Sequence, residues 1–186
     1  MSVIGKGLCV NIVVLSGSPR LNGNTEMLAS SFIDGAKAAG KDVAVYRVAG
    51  MRIGGCLGCE HCFEEKGVCV QKDDMQAILE SLKTADALVF ASPIYFFDMT
   101  AQLKLAIDRT FALLSVGTPI RRAAFLITCG DDSEKAASGA IETYKSICAY
   151  SKWEDAGIII ATGLHKPGEV EGRPELEDAK KLGGEI

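Results

Sequence analysis

Five short apolar runs alternate along the chain with longer segments of helical periodicity. Their β-branched and apolar content predicts strands at residues 10–15, 42–48, 87–91, 123–128 and 155–161. Apolar residues spaced by three and four predict helices at residues 24–39, 73–83, 99–114, 132–150 and 174–182. Because strands that alternate with helices usually form a parallel sheet covered on both faces, the sequence predicts an α/β fold.

Length and charge limit the classes of protein to which the chain can belong. Its 186 residues suit one domain, which we expect to span residues 1–186 with a cysteine-loop insertion at about 50–72. A net charge of −4 gives no reason to expect nucleic acid or an anionic membrane as a partner. The apolar runs are too short to span a bilayer. Asn11 interrupts the first run, which favours a buried strand over a signal peptide and predicts a cytoplasmic protein.

Four of the seven cysteines lie within one short segment. Cys56, Cys59, Cys62 and Cys69 have the spacing C-x2-C-x2-C-x6-C, which favours an iron–sulfur cluster over zinc. A metal-free loop with a redox-active pair of thiols remains an alternative. The other three cysteines have apolar neighbours, and we expect buried side chains at Cys9, Cys129 and Cys148.

The segment SGSPRLNGNT lies between the first predicted strand and the first predicted helix. Free backbone N–H groups and the helix dipole favour an anion at such a position. Several side chains there can donate hydrogen bonds, and Arg20 can add positive charge, so phosphate binding is favoured over a plain turn. The segment matches neither the P-loop pattern nor G-x-G-x-x-G.

Two further segments follow predicted strands, and the carboxyl ends of parallel strands are where such sheets bind ligands. The segment at 92–100 contains Tyr95, Phe96 and Phe97, whose flat faces suit a planar ring or a hydrophobic core. The backbone of the segment at 128–131 could bind the edges of such a ring.

Together these segments resemble a known family. GSPRLNGNT, the cysteine motif before DDM, and SPIYFFDMTAQLKLAIDR resemble the NADPH-dependent FMN reductase superfamily, and within it the iron–sulfur flavoprotein branch. The resemblance implies a flavodoxin-like three-layer sandwich with a five-stranded parallel sheet of order 2-1-3-4-5. It also implies FMN as cofactor and a homodimer or homotetramer.

The resemblance assigns roles to individual residues. The phosphate of FMN would be held by Ser16, Ser18, Arg20, Asn22, Asn24 and Thr25. The ribityl chain and isoalloxazine would be lined by Pro93, Ile94, Tyr95, Phe96 and Met99. The ring edges would meet Thr128, Gly130 and Asp131. A [4Fe–4S] cluster close to the flavin would be held by Cys56, Cys59, Cys62 and Cys69. No catalytic residue is assigned, and neither His61 nor His165 is given a role.

The expected function is an FMN-binding oxidoreductase or electron-transfer protein that carries a [4Fe–4S] cluster. One alternative is a cluster-free NAD(P)H-dependent FMN or quinone reductase. Others are a non-enzymatic flavodoxin-type electron carrier and, without flavin, a phosphate-binding regulator. The expected electron donors and acceptors are NAD(P)H (NADH or NADPH), a quinone or ferredoxin.

Overall fold

A computed structural model describes residues 10–186 of the chain. Its strands are β1 (Asn11–Ser16), β2 (Asp42–Arg47), β3 (Ala87–Tyr95), β4 (Asp98–Met99), β5 (Arg122–Thr128) and β6 (Glu154–Ala161). Five of them form one parallel sheet in the order β2-β1-β3-β5-β6. The predicted α/β fold, flavodoxin-like with its five parallel strands ordered 2-1-3-4-5, is therefore confirmed. Cys9 lies outside the described residues.

One strand was not predicted. The two residues of β4 run antiparallel to the end of β3, where Ile94 faces Met99 and Tyr95 faces Asp98. This hairpin raises the strand count from five to six. It also takes Met99 out of the helix predicted at residues 99–114, because Met99 has extended backbone and the helix begins only after Thr100.

The helices are α1 (Asn24–Ala38), α2 (His61–Glu64), α3 (Met75–Leu82), α4 (Ala101–Arg109), α5 (Ser138–Ser151) and α6 (Pro174–Glu185). Single 3₁₀ segments lie at Val48–Gly50, Thr110–Ser115 and Glu134–Ala137. The predicted helices at 99–114 and 132–150 are thus each part α-helix and part 3₁₀-helix. Among residues 10–186, the helices lack the length and apolar character of a transmembrane span.

The two faces of the sheet bury separate hydrophobic clusters. Successive residues of β1 alternate between them, so that Val13 and Leu15 face one cluster while Ile12 and Val14 face the other. The first cluster includes residues of α3, α4 and α5, and the second includes residues of α1 and α6. Cys148 is buried in the first cluster, and Cys129 is buried at the end of β5, as expected for both.

Helices α1 and α6 pack at unusually close range because glycines lie at their contact. A Cβ on Gly183 would lie 2.0 Å from the carbonyl oxygen of Phe32. A Cβ on Gly35 would lie 1.8 Å from the carbonyl oxygen of Lys180. Both obstacles are backbone atoms, which cannot rotate away, so a methyl group at either position must push the helices apart.

We predict that Gly183→Ala lowers the free energy of unfolding by about 1–3 kcal/mol, the usual cost of overpacking a core. The matched control is Gly184→Ala in the same helix, where the new Cβ would lie 3.8 Å from the carbonyl oxygen of Gly35. That change should be neutral or slightly stabilising, because alanine favours helix. Urea denaturation gives the free energy of unfolding of both variants. Equal losses of stability in the two variants would contradict the close packing of α1 against α6.

Candidate functional site

A cavity of about 230 Å³ lies at the carboxyl ends of the parallel strands. Nine of the predicted cofactor contacts line it: Ser18, Arg20, Asn24, Thr25, Pro93, Ile94, Tyr95, Thr128 and Gly130. The structure therefore brings residues from three separate loops into one site. Four further residues line it that were not among the individually predicted contacts: Gly23, Cys129, Leu164 and His165.

The amino terminus of α1 forms one wall of the cavity. Its N-cap residue is Gly23, and no side chain caps the helix there. The first-turn N–H groups of a helix have no partner within the helix, and the helix dipole is positive at this end. Glu26, the acidic residue of the first turn, is ion-paired with Arg47 at 2.9 Å. This wall can therefore bind an anion such as phosphate.

Two of the predicted phosphate contacts are bonded to other protein groups. The amide nitrogen of Asn24 donates to the carbonyl oxygen of Lys166 (2.8 Å), and its amide oxygen accepts from Val170 N–H (3.3 Å). The hydroxyl groups of Thr25 and Thr128 are 2.6 Å apart and share a hydrogen bond. These side chains join the first loop to β5 and to the loop after β6, so they define the shape of the cavity.

The other polar residues of the first loop differ in exposure. The buried hydroxyl of Ser16 has no hydrogen-bond partner among the described residues, which is costly unless a ligand or water supplies one. Ser18 Oγ is 3.3 Å from both the N–H and the carbonyl oxygen of Arg20. Asn22 is exposed in the left-handed region, with φ of 55°, and does not line the cavity.

Thr100 holds the first two loops together. Its hydroxyl donates to the carbonyl oxygen of Gly17 (2.8 Å) and accepts from Leu103 N–H (3.3 Å), which caps α4. Its own N–H donates to Ser92 Oγ (3.0 Å). Gly17 has no room for a side chain, since a Cβ would lie 2.5 Å from Thr100 Oγ1 and 2.7 Å from Leu103 Cβ.

The aromatic residues of the second loop lie at the tip of the β3–β4 hairpin. Phe96 is 97% exposed and Phe97 is 65% exposed, and both have left-handed backbone with φ of 50° and 71°. Tyr95 lines the cavity, whereas Phe96 does not, and Met99 is buried in the first hydrophobic cluster. Two of the five residues predicted around the flavin ring thus lie outside the cavity wall.

The third loop supplies two of the predicted contacts to the cavity wall. Thr128 and Gly130 line the cavity, whereas the carboxylate of Asp131 accepts a hydrogen bond from Ser133 N–H (2.7 Å). Gly130 packs against His165, because a Cβ at Gly130 would lie 3.3 Å from His165 Nδ1. His165 follows the carboxyl end of β6, and that position is the signal by which it could have been selected.

The cysteine segment forms a second, much smaller cavity of about 30 Å³. All four cysteines line it, and all six described cysteines are free. Burial raises the pKa of the Cys62 thiol, and the nearby Cys69, Cys56 and Cys59 raise it further, against a backbone hydrogen bond that lowers it. Within residues 10–186, no three His, Cys, Asp or Glu side chains are arranged to hold a metal ion.

A partly buried ion pair fixes the start of the cysteine segment. Both oxygens of the Asp73 carboxylate accept from Arg109, at 2.8 Å (Nη1 to Oδ2) and 3.0 Å (Nη2 to Oδ1). Arg109 Nη1 also donates to the carbonyl oxygen of Gly54 (2.9 Å), and Gly54 N–H donates to Asp73 (2.9 Å). Burial would raise the pKa of Asp73, but these hydrogen bonds and the charge of Arg109 lower it overall.

The strand order and the cavity at the strand ends define a flavodoxin-like α/β protein. A family model described as NADPH-dependent FMN reductase matches residues 10–150. The chain therefore belongs to the NADPH-dependent FMN reductase family.

Known relatives agree with this assignment. The chain is 33% identical over 131 residues to an iron–sulfur flavoprotein of Methanocaldococcus jannaschii, a match that covers 69% of this chain and 66% of that protein. It is 29% identical over 180 residues to an iron–sulfur flavoprotein of Archaeoglobus fulgidus, covering 94% of this chain and 77% of that one. The chain spans about half to three quarters of the length of such relatives.

Among solved structures, the fold is similar to that of an NAD(P)H:quinone oxidoreductase from Methanothermobacter marburgensis. The TM-score is 0.73, with 22% sequence identity and 95% of each chain covered. At this level of identity the likeness concerns the fold.

Proposed function

We propose that the chain is an FMN-dependent oxidoreductase or electron-transfer protein that also carries a [4Fe–4S] cluster in its cysteine segment. The observation that carries the proposal is the uncapped amino terminus of α1, which lines a cavity at the strand ends. A phosphate bound there would meet backbone N–H groups, the positive end of the helix dipole and the guanidinium of Arg20.

The residues of the site fit FMN in chemistry. The proposed phosphate contacts are Ser16, Ser18, Arg20, Asn22, Asn24 and Thr25. The proposed contacts of the ribityl chain and ring are Pro93, Ile94, Tyr95, Phe96, Met99, Thr128, Gly130 and Asp131. The unpartnered buried hydroxyl of Ser16 supports a polar ligand at the first loop. Some of these residues lie outside the cavity wall. For them to contact FMN, the β3–β4 hairpin and the loops would have to move toward the ligand.

When bound, FMN supplies the redox chemistry, since it accepts hydride or electrons and can release electrons singly. The chain's own residues bind and orient it. Pro93 and Ile94 line the cavity, and the proposed contacts of the polar ring edges lie in the third loop. We assign no proton-transfer role to any side chain in this reaction.

The cysteine thiols of this segment are suitable ligands for an iron–sulfur cluster. Four free thiols line one cavity, and left-handed backbone at Gly58 (φ 61°) and Gly67 (φ 84°) bends the chain around it. A cluster holds its thiolates farther apart than a single ion does, because the iron–sulfide cube lies between them. The names of the archaeal relatives also support this proposal.

A second candidate is a cluster-free NAD(P)H-dependent FMN or quinone reductase. The observation that favours it is that the described cysteine side chains are not arranged as ligands of a metal ion. A visible spectrum, with iron and sulfide quantified on protein purified without oxygen, separates the two candidates. Flavin bands with about four irons per chain support the first. Flavin bands without iron, together with rapid reduction by NADPH, support the second and leave quinone, rather than ferredoxin, as the preferred partner.

We predict that Cys62→Ser abolishes the broad iron–sulfur absorbance and leaves the flavin bands in place, because one of four thiolate ligands is lost. The control is Cys148→Ala, which removes a buried thiol outside the cysteine segment and should retain the cluster. The visible absorbance and the bound iron are measured for both variants. Full iron–sulfur absorbance in Cys62→Ser would contradict the cluster assignment.

We predict that Arg20→Ala weakens FMN binding about tenfold, the effect of losing one charge-assisted hydrogen bond. Its affinity for riboflavin, which has no phosphate, should change little. Lys37→Ala removes a cation from the opposite end of α1 and should leave both affinities unchanged. Fluorescence titration gives the dissociation constants. Equal losses for FMN and riboflavin would show that Arg20 does not contact the phosphate.

The proposed homodimer or homotetramer would cover apolar side chains beside the cysteine segment. Val116 is 46% exposed there and packs near Gly67, while Val45 is equally exposed at 45% on the edge strand β2. We predict a solution mass above 19.7 kDa by light scattering. Val116→Glu should lower that mass and Val45→Glu should not. A wild-type monomer at micromolar concentration would contradict the proposal.

A further inference from the structure

We propose that His165 is a further cofactor-binding residue of the cavity, whose imidazole N–H donates a hydrogen bond to the polar edge of the isoalloxazine. The inference rests on the proposed function, because it takes FMN as the ligand of the same cavity. It adds a contact from a fourth loop, the β6–α6 loop (residues 162–173), to the three loops already assigned.

His165 lies beside the third loop. It lines the same cavity as Thr128 and Gly130, the two residues that the third loop contributes to the wall. Its ring packs against Gly130, since a Cβ at Gly130 would lie 3.3 Å from His165 Nδ1 and 3.6 Å from its Cε1. The third loop contains the proposed contacts of the ring edges, so the imidazole lies at the part of the wall where those edges would be bound.

The imidazole has its hydrogen-bonding groups free. Within the described part of the chain, the backbone N–H of His165 donates to Glu169 Oε2 (2.7 Å), whereas its ring nitrogens have no hydrogen-bond partner. The side chain is exposed at the cavity wall. A neutral imidazole carries one N–H donor and a protonated one carries two. A donor is therefore available to a ligand in either protonation state.

The backbone around His165 is bonded to the third loop. The N–H of Leu164 donates to the carbonyl oxygen of Cys129 (2.9 Å). The N–H of Gly163 donates to the carbonyl oxygen of Asp131 (2.9 Å). These two hydrogen bonds hold the start of the β6–α6 loop against the loop that follows β5, directly before His165.

Two side chains fix the loop after His165. Asn24, the first residue of α1, bonds through its amide group to the carbonyl oxygen of Lys166 and to the N–H of Val170. Glu169 Oε2 accepts from the N–H groups of both His165 and Lys166 (2.7 and 2.9 Å). The exposed imidazole therefore extends from backbone that is held on both sides. Binding residues act best when their position is fixed before the ligand arrives.

A donor at the ring edge has two consequences that distinguish His165 from Arg20, the proposed phosphate contact. It would contribute equally to the binding of FMN and of riboflavin, because both contain the same ring. It would also favour the negative charge that the ring gains on reduction, because hydrogen bonds and charge beside the flavin ring tune its electronics. Loss of the imidazole should therefore weaken the binding of both flavins and lower the flavin potential.

The first test measures dissociation constants for FMN and riboflavin by fluorescence titration of His165→Ala. We expect both constants to rise about fivefold, the effect of losing one neutral hydrogen bond. The matched control is Lys166→Ala, which truncates the neighbouring exposed side chain and keeps its backbone bonds to Asn24 and Glu169. That control should bind riboflavin as the wild type does.

Three results of this titration would overturn the inference. They are unchanged binding of both flavins by His165→Ala, a loss for FMN alone, and an equal loss of riboflavin binding in Lys166→Ala. The second result would make His165 a phosphate contact, and the third would show that the loop as a whole had been disturbed.

The second test measures the reduction potential of bound FMN by a spectroelectrochemical titration that follows the flavin bands. We expect a more negative potential in His165→Ala than in the wild type. An unchanged or more positive potential would show that no donor from His165 reaches the ring edge.

Failure of the inference and failure of the proposed function give different results. Wild-type protein that binds neither flavin would contradict the proposed function, and the inference with it. Wild-type protein that binds both flavins, with affinities that His165→Ala leaves unchanged, would contradict the inference alone. Circular dichroism checks the fold of both variants, which should be native because both side chains are exposed.

Discussion

The hydrogen bonds of one buried threonine determine how the candidate cofactor site is assembled. Thr100 has no exposed surface, and its hydroxyl both caps α4 and donates to the backbone of Gly17 in the first loop. An unpaired hydroxyl would be costly at such a depth, so the first loop, β3 and α4 must keep their relative positions for the bonds to persist. The cavity wall is therefore defined by buried backbone and hydroxyl groups, and a ligand would find much of its site already formed.

Helix α4 links this site to the cysteine segment. Thr100 precedes its first residue and contacts the first loop, and Arg109 is its last residue and contacts the cysteine segment. Nine helical residues span about 14 Å. A displacement of either end is transmitted along a rigid helix, because each residue is bonded to the next turn. The two proposed cofactors would thus be held at a distance set by one short element of secondary structure.

The sequence predicts those parts of the molecule that local chemistry specifies. Alternation of apolar runs predicted five parallel strands, and turn chemistry beside a helix start predicted the cavity wall at Ser18, Arg20 and Thr25. Three features escaped prediction because they depend on distant residues. The β4 strand needs the end of β3 as its partner. His165 reaches the cavity only through the packing of the loop after β6. Arg109 resembles an ordinary cation at a helix end until its carboxylate partner is known.

The Asp73–Arg109 pair also explains how a segment without regular structure can be held in place. Residues 52–60 form neither helix nor strand. A loop rich in glycine has little apolar surface to bury, so polar bonds must order it. Asp73 accepts hydrogen bonds from Gly54 and from Met75 in the first turn of α3, and thereby joins the loop to that helix. Buried ion pairs contribute little net stability, since desolvation offsets their attraction. Their benefit here is geometric: one guanidinium fixes the loop from within the fold while its charge stays beside the thiols.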